Sequence, residues 1–347
     1  MFKFFQKKQY LLTVDGFSSI QLEHKETVLN GALRSNIDFP HSCKAGGCAA
    51  CKCKLVSGKV KELTDKSYLL TKEELAQNII LGCQSIPKSN VIIELPNAPR
   101  QQQACIGTII NQKKLTHDIS EIVIRLNEKI DYLPGQFSQV SAVDHDYPER
   151  SYSFAHADIN YLNSCPCISF FVRAIPNGKM SNWLHSPQAL NGQVNIKSSF
   201  GDFYLRKNAA PMICIARGSG LAPLISILEQ ALSEPLQKQR NVILLMGART
   251  QQDLYYQEEI EAIKTQWRGV FTYKAVLSDE DPDSNWTGCR GVLTDYLDNY
   301  LSASSIKNGE GYLCGPPAMV DTAIKKMLSL GISKNKLYFD KFSDQGR

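Results

Sequence analysis

The chain carries 11 cysteines in 347 residues, and their spacing is the first sign of chemistry. Five fall between Cys43 and Cys83. Cys43, Cys48 and Cys51 are spaced C-x4-C-x2-C, and Cys83 follows alone in Leu81-Gly82-Cys83-Gln84. No secretion signal is visible, so metal binding is a better use for thiols than disulfides. Three thiolates from one loop and a fourth from a distant segment is the ligand spacing of a [2Fe–2S] cluster. Gly46 and Gly47 let the loop turn tightly and aim backbone N–H groups at sulfur, offsetting cluster charge. Zinc is the rival and fits poorly, because structural zinc sites usually pair their ligands. A Rieske centre needs two histidine ligands, and no Cys-x-His pair occurs. Cys53 is spare and reads as a small apolar residue on the strand that leaves the loop.

The elements that must hold this loop are short. Residues 10–14 and 19–22 read as a hairpin around Asp15-Gly16, and residues 27–34 have a helical pattern. Residues 91–95 close the segment as a strand, and 96–103 read as a linker. The segment resembles the N-terminal ferredoxin domain of oxygenase reductases. Residues 1–98 hold 13 Lys and Arg against 9 Asp and Glu, a balance of +4. Lys44, Lys52 and Lys54 lie in or beside the loop. An acidic docking surface on a partner is one reading of this charge, and a solvated basic face is the other. The start of the chain, with Phe2, Phe4 and Phe5 among Lys3, Lys7 and Lys8, packs onto the sheet or touches a membrane surface weakly.

From about residue 104 to 206, short alternating runs suggest a small antiparallel barrel. Arg150 suits a phosphate because its guanidinium donates bidentately. After it come Ser151, Tyr152 and Ser153. Gly178, Lys179, Met180 and Ser181 start a short helix whose amides can face phosphate. In this order the motifs resemble the FAD domain of the ferredoxin–NADP reductase superfamily. The resemblance implies that Arg150, Ser151, Tyr152 and Ser153 bind FAD, with Tyr152 packing on the ring and Ser153 near its reactive nitrogen. One departure is Ser198-Ser199-Phe200-Gly201, where that family often has Gly-Pro.

The last third alternates strands over 212–215, 241–246, 271–276 and 311–313 with helices over 221–232, 255–264, 291–297 and 317–328. That is a doubly wound α/β domain. Gly218, Ser219 and Gly220 fill the first strand-to-helix turn, where a pyrophosphate approaches the helix N-terminus. Arg217 stands where the family usually has Gly, and either narrows the pocket or adds a phosphate contact. Arg249, Thr250 and Asp253 follow the second strand, where adenosine ribose would lie. Asp253 would repel a 2′-phosphate and Arg249 would attract one; Asp253 is expected to govern, which predicts NADH over NADPH. Cys314, Gly315 and Pro316 follow a later strand and shape the nicotinamide pocket, Cys314 being alternatively a buried small hydrophobe. Phe342 resembles the family's aromatic tail residue beside the flavin, or is ordinary core.

Composition agrees with a soluble multidomain chain: 43% hydrophobic, 21% charged, formal net charge +5. That charge is too mild to argue for nucleic acid. No apolar run approaches the ~18 residues of a membrane span. The expected domains are 1–98 (ferredoxin-like β-grasp, α+β), 99–206 (antiparallel β-barrel, FAD) and 207–347 (doubly wound α/β, NAD). Their order resembles the reductase components of bacterial multicomponent oxygenases, of the methane/phenol monooxygenase and benzoate dioxygenase reductase types. The resemblance implies NADH as reductant, FAD as hydride acceptor, a [2Fe–2S] cluster as one-electron carrier, and a hydroxylase, dioxygenase or desaturase on a separate chain as terminal partner. No Glu-x-x-His di-iron pair or other oxygen-activating set is present. A non-oxygenase acceptor such as a deoxysugar dehydrase is the alternative. A redox-sensing module is a third reading, against which complete FAD and NAD sites argue. The expected location is the cytoplasm, with peripheral association at the inner membrane face left open by the N-terminal segment.

Overall fold

The computed structural model describes residues 9–14, 19–35, 37, 39–41, 44–46, 49–95, 104–157, 166–301 and 308–342. It divides into two compact units, 1–102 and 103–347.

The first unit contains β1 (Leu11–Val14), β2 (Ile20–Gln21), α1 (Val28–Arg34), β3 (Lys52–Ser57), β4 (Val60–Glu62), α2 (Lys72–Ala76), β5 (Ile79–Leu81), β6 (Ser85–Pro87) and β7 (Val91–Glu94). The main sheet runs β2-β1-β7-β3-β5, with β1 and β7 parallel at its centre. Strand alternation turns Leu12 and Val14 inward, both fully buried, against Val28, Leu29 and Ala32 of α1. Thr27 caps α1, its hydroxyl accepting from the Asn30 amide at 3.2 Å. The hairpin strands pair as the sequence suggests, Leu12 opposite Ile20. The Asp15-Gly16 turn and the 96–103 linker lie outside the described residues.

The second unit begins with β8 (Ala104–Lys114), β9 (Ile119–Leu126), β10 (Phe137–Ala142), β11 (Arg150–Ser153), β12 (Cys167–Arg173), α3 (Lys179–Leu184) and β13 (Gln193–Phe200). These strands form an antiparallel sheet, β11-β10-β13-β8-β9-β12. Its edges meet at one bridge, Phe154 opposite Phe170, backed by the Ala155 amide donating to the Ser169 carbonyl at 2.9 Å. The barrel is therefore nearly closed, around Ile109, Ile124, Val140, Phe154 and Phe170.

The rest is β14 (Met212–Arg217), α4 (Leu221–Ser233), β15 (Val242–Ala248), α5 (Gln257–Gln266), β16 (Phe271–Leu277), β17 (Cys289–Arg290), α6 (Leu297–Tyr300), β18 (Glu310–Gly315), α7 (Pro317–Ser329) and β19 (Leu337–Lys341). All six strands are parallel, in the order β17-β16-β15-β14-β18-β19. The order reverses between β14 and β18, which makes that crevice the switch point. Three details depart from the sequence reading. The helix expected at 255–264 starts at Gln257, because Tyr256 takes a left-handed φ of 60° and both Tyr255 and Tyr256 bury their rings. The helix expected at 291–297 is a 3-10 turn, Leu293–Tyr296, leading into α6. Edge strands β17 and β19 add to the four expected.

Barrel and sheet share one core. Ile119, Ala155 and Phe171 pack in the same cluster as Leu224, Ile227, Leu228, Tyr255 and Tyr256. Gly135 allows this approach: a Cβ there would stand 2.6 Å from the Phe203 carbonyl and 2.8 Å from Ile227. A polar clamp lies beside this core. His156 Nδ1 meets Glu229 of α4 at 2.7 Å, and its Nε2 meets Glu121 at 3.2 Å and the Tyr256 hydroxyl at 3.0 Å. Burial alone would lower the His156 pKa, but its bonds to Glu121 and Glu229 outweigh burial and hold it up at about 9. A pKa raised above its unfolded value stabilises fully below pH 6.5 and loses that contribution as pH rises through 9. Wild-type thermal stability should therefore fall over this window by up to about 3 kcal/mol, and His156→Gln should flatten the fall. Melting curves at both ends of the window test it, and an equal decline in the variant would refute the assignment.

Candidate functional site

The cluster site is built where β3 and β5 bring two loops together. Cys51 and Cys83 are 3% and 5% exposed, and their sulfurs stand 3.2 Å apart. That is too far for a disulfide and shorter than the roughly 3.8 Å edge of a tetrahedral metal–sulfur site, so the two thiols converge on one point. The Gly82 amide donates to the Cys51 carbonyl at 2.8 Å and fixes one thiol relative to the other. Cys43, Cys48 and Gly47 lie outside the described residues. Cys53 is fully buried on β3, and burial pushes its thiol pKa up, so it stays a protonated apolar filler. The donor set fits an iron–sulfur cluster: soft thiols, converging and dry.

Arg150, Ser151, Tyr152 and Ser153 form the whole of β11. Alternation puts Arg150 and Tyr152 on one face and Ser151 and Ser153 on the other. Tyr152 is half-buried, 5.9 Å from Phe170, and burial raises its phenol pKa. Ser153 is buried opposite Phe137, while Ser151 is exposed. Gly178 precedes α3, and the Ser181 hydroxyl accepts from the Ile175 amide at 3.2 Å, so this serine first serves its own turn. Lys179 is exposed, whereas Met180 is buried in the barrel core. A guanidinium, a half-buried ring and helix-start amides on one barrel suit a flavin dinucleotide.

At the switch point, Gly218 has φ +56° and nothing within 4 Å of where a Cβ would be. That open space suits a dinucleotide phosphate. Gly220 lies so close to β18 that its Cβ would stand 2.4 Å from the Cys314 carbonyl. Cys314 itself is fully buried in the shared core, and burial pushes its thiol up. Gly315 has φ +145°, and its carbonyl accepts from the Phe342 amide at 2.9 Å. Phe342, half-buried against the shared core, is thus fixed beside Gly315. The structure brings Gly218, Ser219, Gly220, Gly315, Pro316 and Phe342 to one crevice. The Arg217 side chain makes no hydrogen bond or ion pair among the described residues, while its backbone pairs with Gly247 in the sheet.

Arg249 and Asp253 behave differently from a free coenzyme pair. Arg249 is 3.6 Å from Asp253 and 3.5 Å from Asp118, and it donates to His117 at 3.1 Å. His117 Nδ1 meets the other Asp253 oxygen at 3.1 Å, and the Thr250 amide also donates to Asp253 at 3.1 Å. The cluster ties β15's end to the barrel turn at 116–118. A cavity of about 320 Å³ lies alongside, lined by Thr250, Gln251, Gln252, Asp279, Glu280 and Asp281. Glu280 holds Gln251 through its backbone amide at 2.7 Å and its side-chain amide at 2.6 Å. Sequence spacing missed this acidic wall, because it comes from the loop after the third strand.

Comparison with known proteins matches three domains along the chain. Residues 12–88 match the 2Fe-2S iron-sulfur cluster binding domain, 107–204 the oxidoreductase FAD-binding domain, and 214–325 the oxidoreductase NAD-binding domain. The xylene/toluene monooxygenase electron transfer component XylA of Pseudomonas putida is 39% identical over 320 residues, covering 91% of this chain and 89% of that protein. This chain belongs to the family of oxygenase electron-transfer reductases. The toluate 1,2-dioxygenase electron transfer component of Pseudomonas putida is 30% identical and covers 92% of this chain and 93% of its own. Among solved structures, the Amycolatopsis cytochrome P450 reductase GcoB superposes with a TM-score of 0.70 at 28% identity, covering 96% of this chain and 98% of its own. As an electron-transfer reductase the chain is an NAD(P)H-dependent oxidoreductase, and its cofactors are a [2Fe–2S] cluster, FAD and a nicotinamide dinucleotide. No helix among the described residues is long and apolar enough to cross a membrane.

Proposed function

We propose that this chain oxidises NADH in preference to NADPH and supplies single electrons to a terminal oxygenase on a separate chain. The name of the 39% identical relative, a xylene/toluene monooxygenase component, suggests an oxygenase of aromatic hydrocarbons. When bound, FAD accepts the two electrons of a hydride and releases them singly to a cluster that carries one at a time. The protein's own residues supply position. Gly218, Ser219 and Gly220 admit the dinucleotide at the switch point, and Gly315 and Pro316 shape its nicotinamide end. Arg150 donates to flavin phosphate, Tyr152 packs on the ring, and Ser153 offers a hydroxyl near it. Phe342 lies near the flavin. Cys43, Cys48, Cys51 and Cys83 hold the cluster. Residues 1–98, 99–206 and 207–347 divide these tasks.

Partner docking rests on less charge than the sequence suggests. Lys52 and Lys54 pair with Glu74 at 2.8 Å and Glu94 at 3.4 Å, leaving Lys44 as the exposed cation of the loop. The N-terminal aromatic segment, 1–8, lies outside the described residues.

The observation that carries the coenzyme choice is the acidic cavity wall together with the neutralised Arg249. A 2′-phosphate there would meet Asp279, Glu280 and Asp281, while Arg249 already faces two carboxylates and Arg290 already donates to the Asp281 carbonyl at 3.1 Å and to the Ser284 hydroxyl at 3.0 Å. Stopped-flow flavin reduction should give a kcat/KM at least roughly tenfold higher with NADH, about 1.4 kcal/mol of transition-state binding. Parity between the coenzymes would mean that Arg249 leaves its carboxylates on binding, and the reading would fail.

A further inference from the structure

We propose that Gln84 sets the reduction potential of the cluster by donating its side-chain amide to the Cys83 sulfur. The proposal rests on the reading of Cys83 as a cluster ligand. Gln84 Nε2 lies 3.7 Å from Cys83 Sγ. The backbone around it is held from three sides. The Gly82 amide donates to Cys51, the Leu63 amide donates to the Gln84 carbonyl at 2.8 Å, and the Ser85 hydroxyl donates to Leu81 at 2.9 Å. Gly82 also packs against the buried Phe39 ring, where a Cβ would stand 2.7 Å from Cζ.

The side chain is held as well. Its stem crosses the cluster loop at Gly46, whose φ is +72° and whose Cβ would stand 2.7 Å from Gln84 Cγ. Any other residue at 46 would displace it. Thr64 Oγ1 lies against the same position, 3.4 Å from that Cβ, buried and without a hydrogen-bond partner among the described residues. A side-chain amide aimed at a ligand sulfur, and beside it a hydroxyl with no acceptor among the described residues, suit the sulfur-rich surface of a cluster.

The sign follows from charge. Reduction adds one electron and no proton, so the reduced cluster carries one more negative charge, partly on its thiolate sulfurs. An N–H donor at Cys83 stabilises the reduced form more than the oxidised one and raises the potential. Gln84 is a positioning residue by this account, acting through Cys83 on the cluster.

The test uses the full-length holoprotein with EPR-monitored redox titration of Gln84→Leu and Gln84→Glu. Gln84→Leu removes the donor at similar volume, and Gln84→Glu keeps the stem over Gly46 but replaces the donor with an anion. The cluster's reduction equilibrium should shift toward the oxidised form by roughly threefold to tenfold in Gln84→Leu and further in Gln84→Glu, tenfold being 59 mV for one electron. Flavin reduction by NADH should be unchanged in both. A fully loaded Gln84→Leu with the wild-type potential overturns the proposal. So does a pair of variants that cannot assemble the cluster, since a residue that only tunes is dispensable for assembly. Retention of the native cluster spectrum in Cys83→Ser would instead overturn the ligand reading on which the proposal rests.

Discussion

Cys83→Ser should abolish or cripple the [2Fe–2S] cluster while NADH-driven ferricyanide reduction stays within about twofold of wild type. Cys83 is nearly dry and shares a 3.2 Å edge with Cys51, so its loss removes one of two thiols that meet there. A serine oxygen is a harder ligand and a poor match for iron–sulfur chemistry. The FAD and NAD groups lie in the other compact unit, 103–347, with a continuous core of their own. Ferricyanide takes electrons from flavin directly. Cytochrome c reduction and oxygenase-supported turnover need the cluster, and should fall by about two orders of magnitude or more. Both activities disappearing together in a folded, flavin-loaded variant would contradict this division of labour.

Glu310→Ala should cost the second unit about 3–5 kcal/mol. Glu310 at the start of β18 and Arg240 just before β15 form an ion pair of 2.8 Å with side chains 5% and 1% exposed. Arg240 also donates to the Arg206 carbonyl at 3.0 Å and to Gln237 at 2.9 Å. Glu310 accepts from Asn208 at 2.6 Å and from the Tyr312 hydroxyl at 3.1 Å. Removing the carboxylate leaves a guanidinium buried with no counter-charge, which costs more than the pair contributes when intact. The same network fastens the segment at 206–210 that joins barrel to sheet. The melting midpoint of this unit should drop by roughly 10 °C. Arg240→Met combined with Glu310→Leu should recover most of the loss, because a matched apolar pair leaves no orphan charge. A double variant as unstable as the single one would show that the backbone contacts of Arg240, not the charge balance, hold the joint.

The parts legible in the sequence are those whose chemistry is local. The C-x4-C-x2-C loop is read from spacing, because three ligands must leave one turn toward one point. The strand-to-helix turn at Gly218–Gly220 is read in the same way, and the parallel strands show as apolar runs because both of their faces are buried. The barrel is read more coarsely. Its alternation shows the strands, but closure at Phe154 and Phe170 depends on two residues 16 positions apart in the chain.

What escaped the sequence depends on partners from distant segments. Arg249 and Asp253 look like opposing coenzyme contacts in one dimension, yet they are bound to each other and to a barrel turn more than 130 residues earlier. The acidic wall at Asp279, Glu280 and Asp281 reads as an ordinary loop until β16 places it beside Gln251. His156 has no motif at all, and its raised pKa exists because Glu121 and Glu229 arrive from two other elements and outweigh its burial.

By itself, then, the sequence determined which groups this reductase carries, since thiolate spacing, glycine turns and an arginine on a barrel strand are set by bonds within a few residues. Only the tertiary structure decided how their charges are spent. Long-range packing chose that Arg249 is neutralised, that Gln84 reaches across Gly46 to Cys83, and that Phe342 returns from the C-terminus to Gly315. Coulomb and hydrogen-bond energies fall off over a few ångströms, so these outcomes follow distance in space and leave no period or motif along the chain.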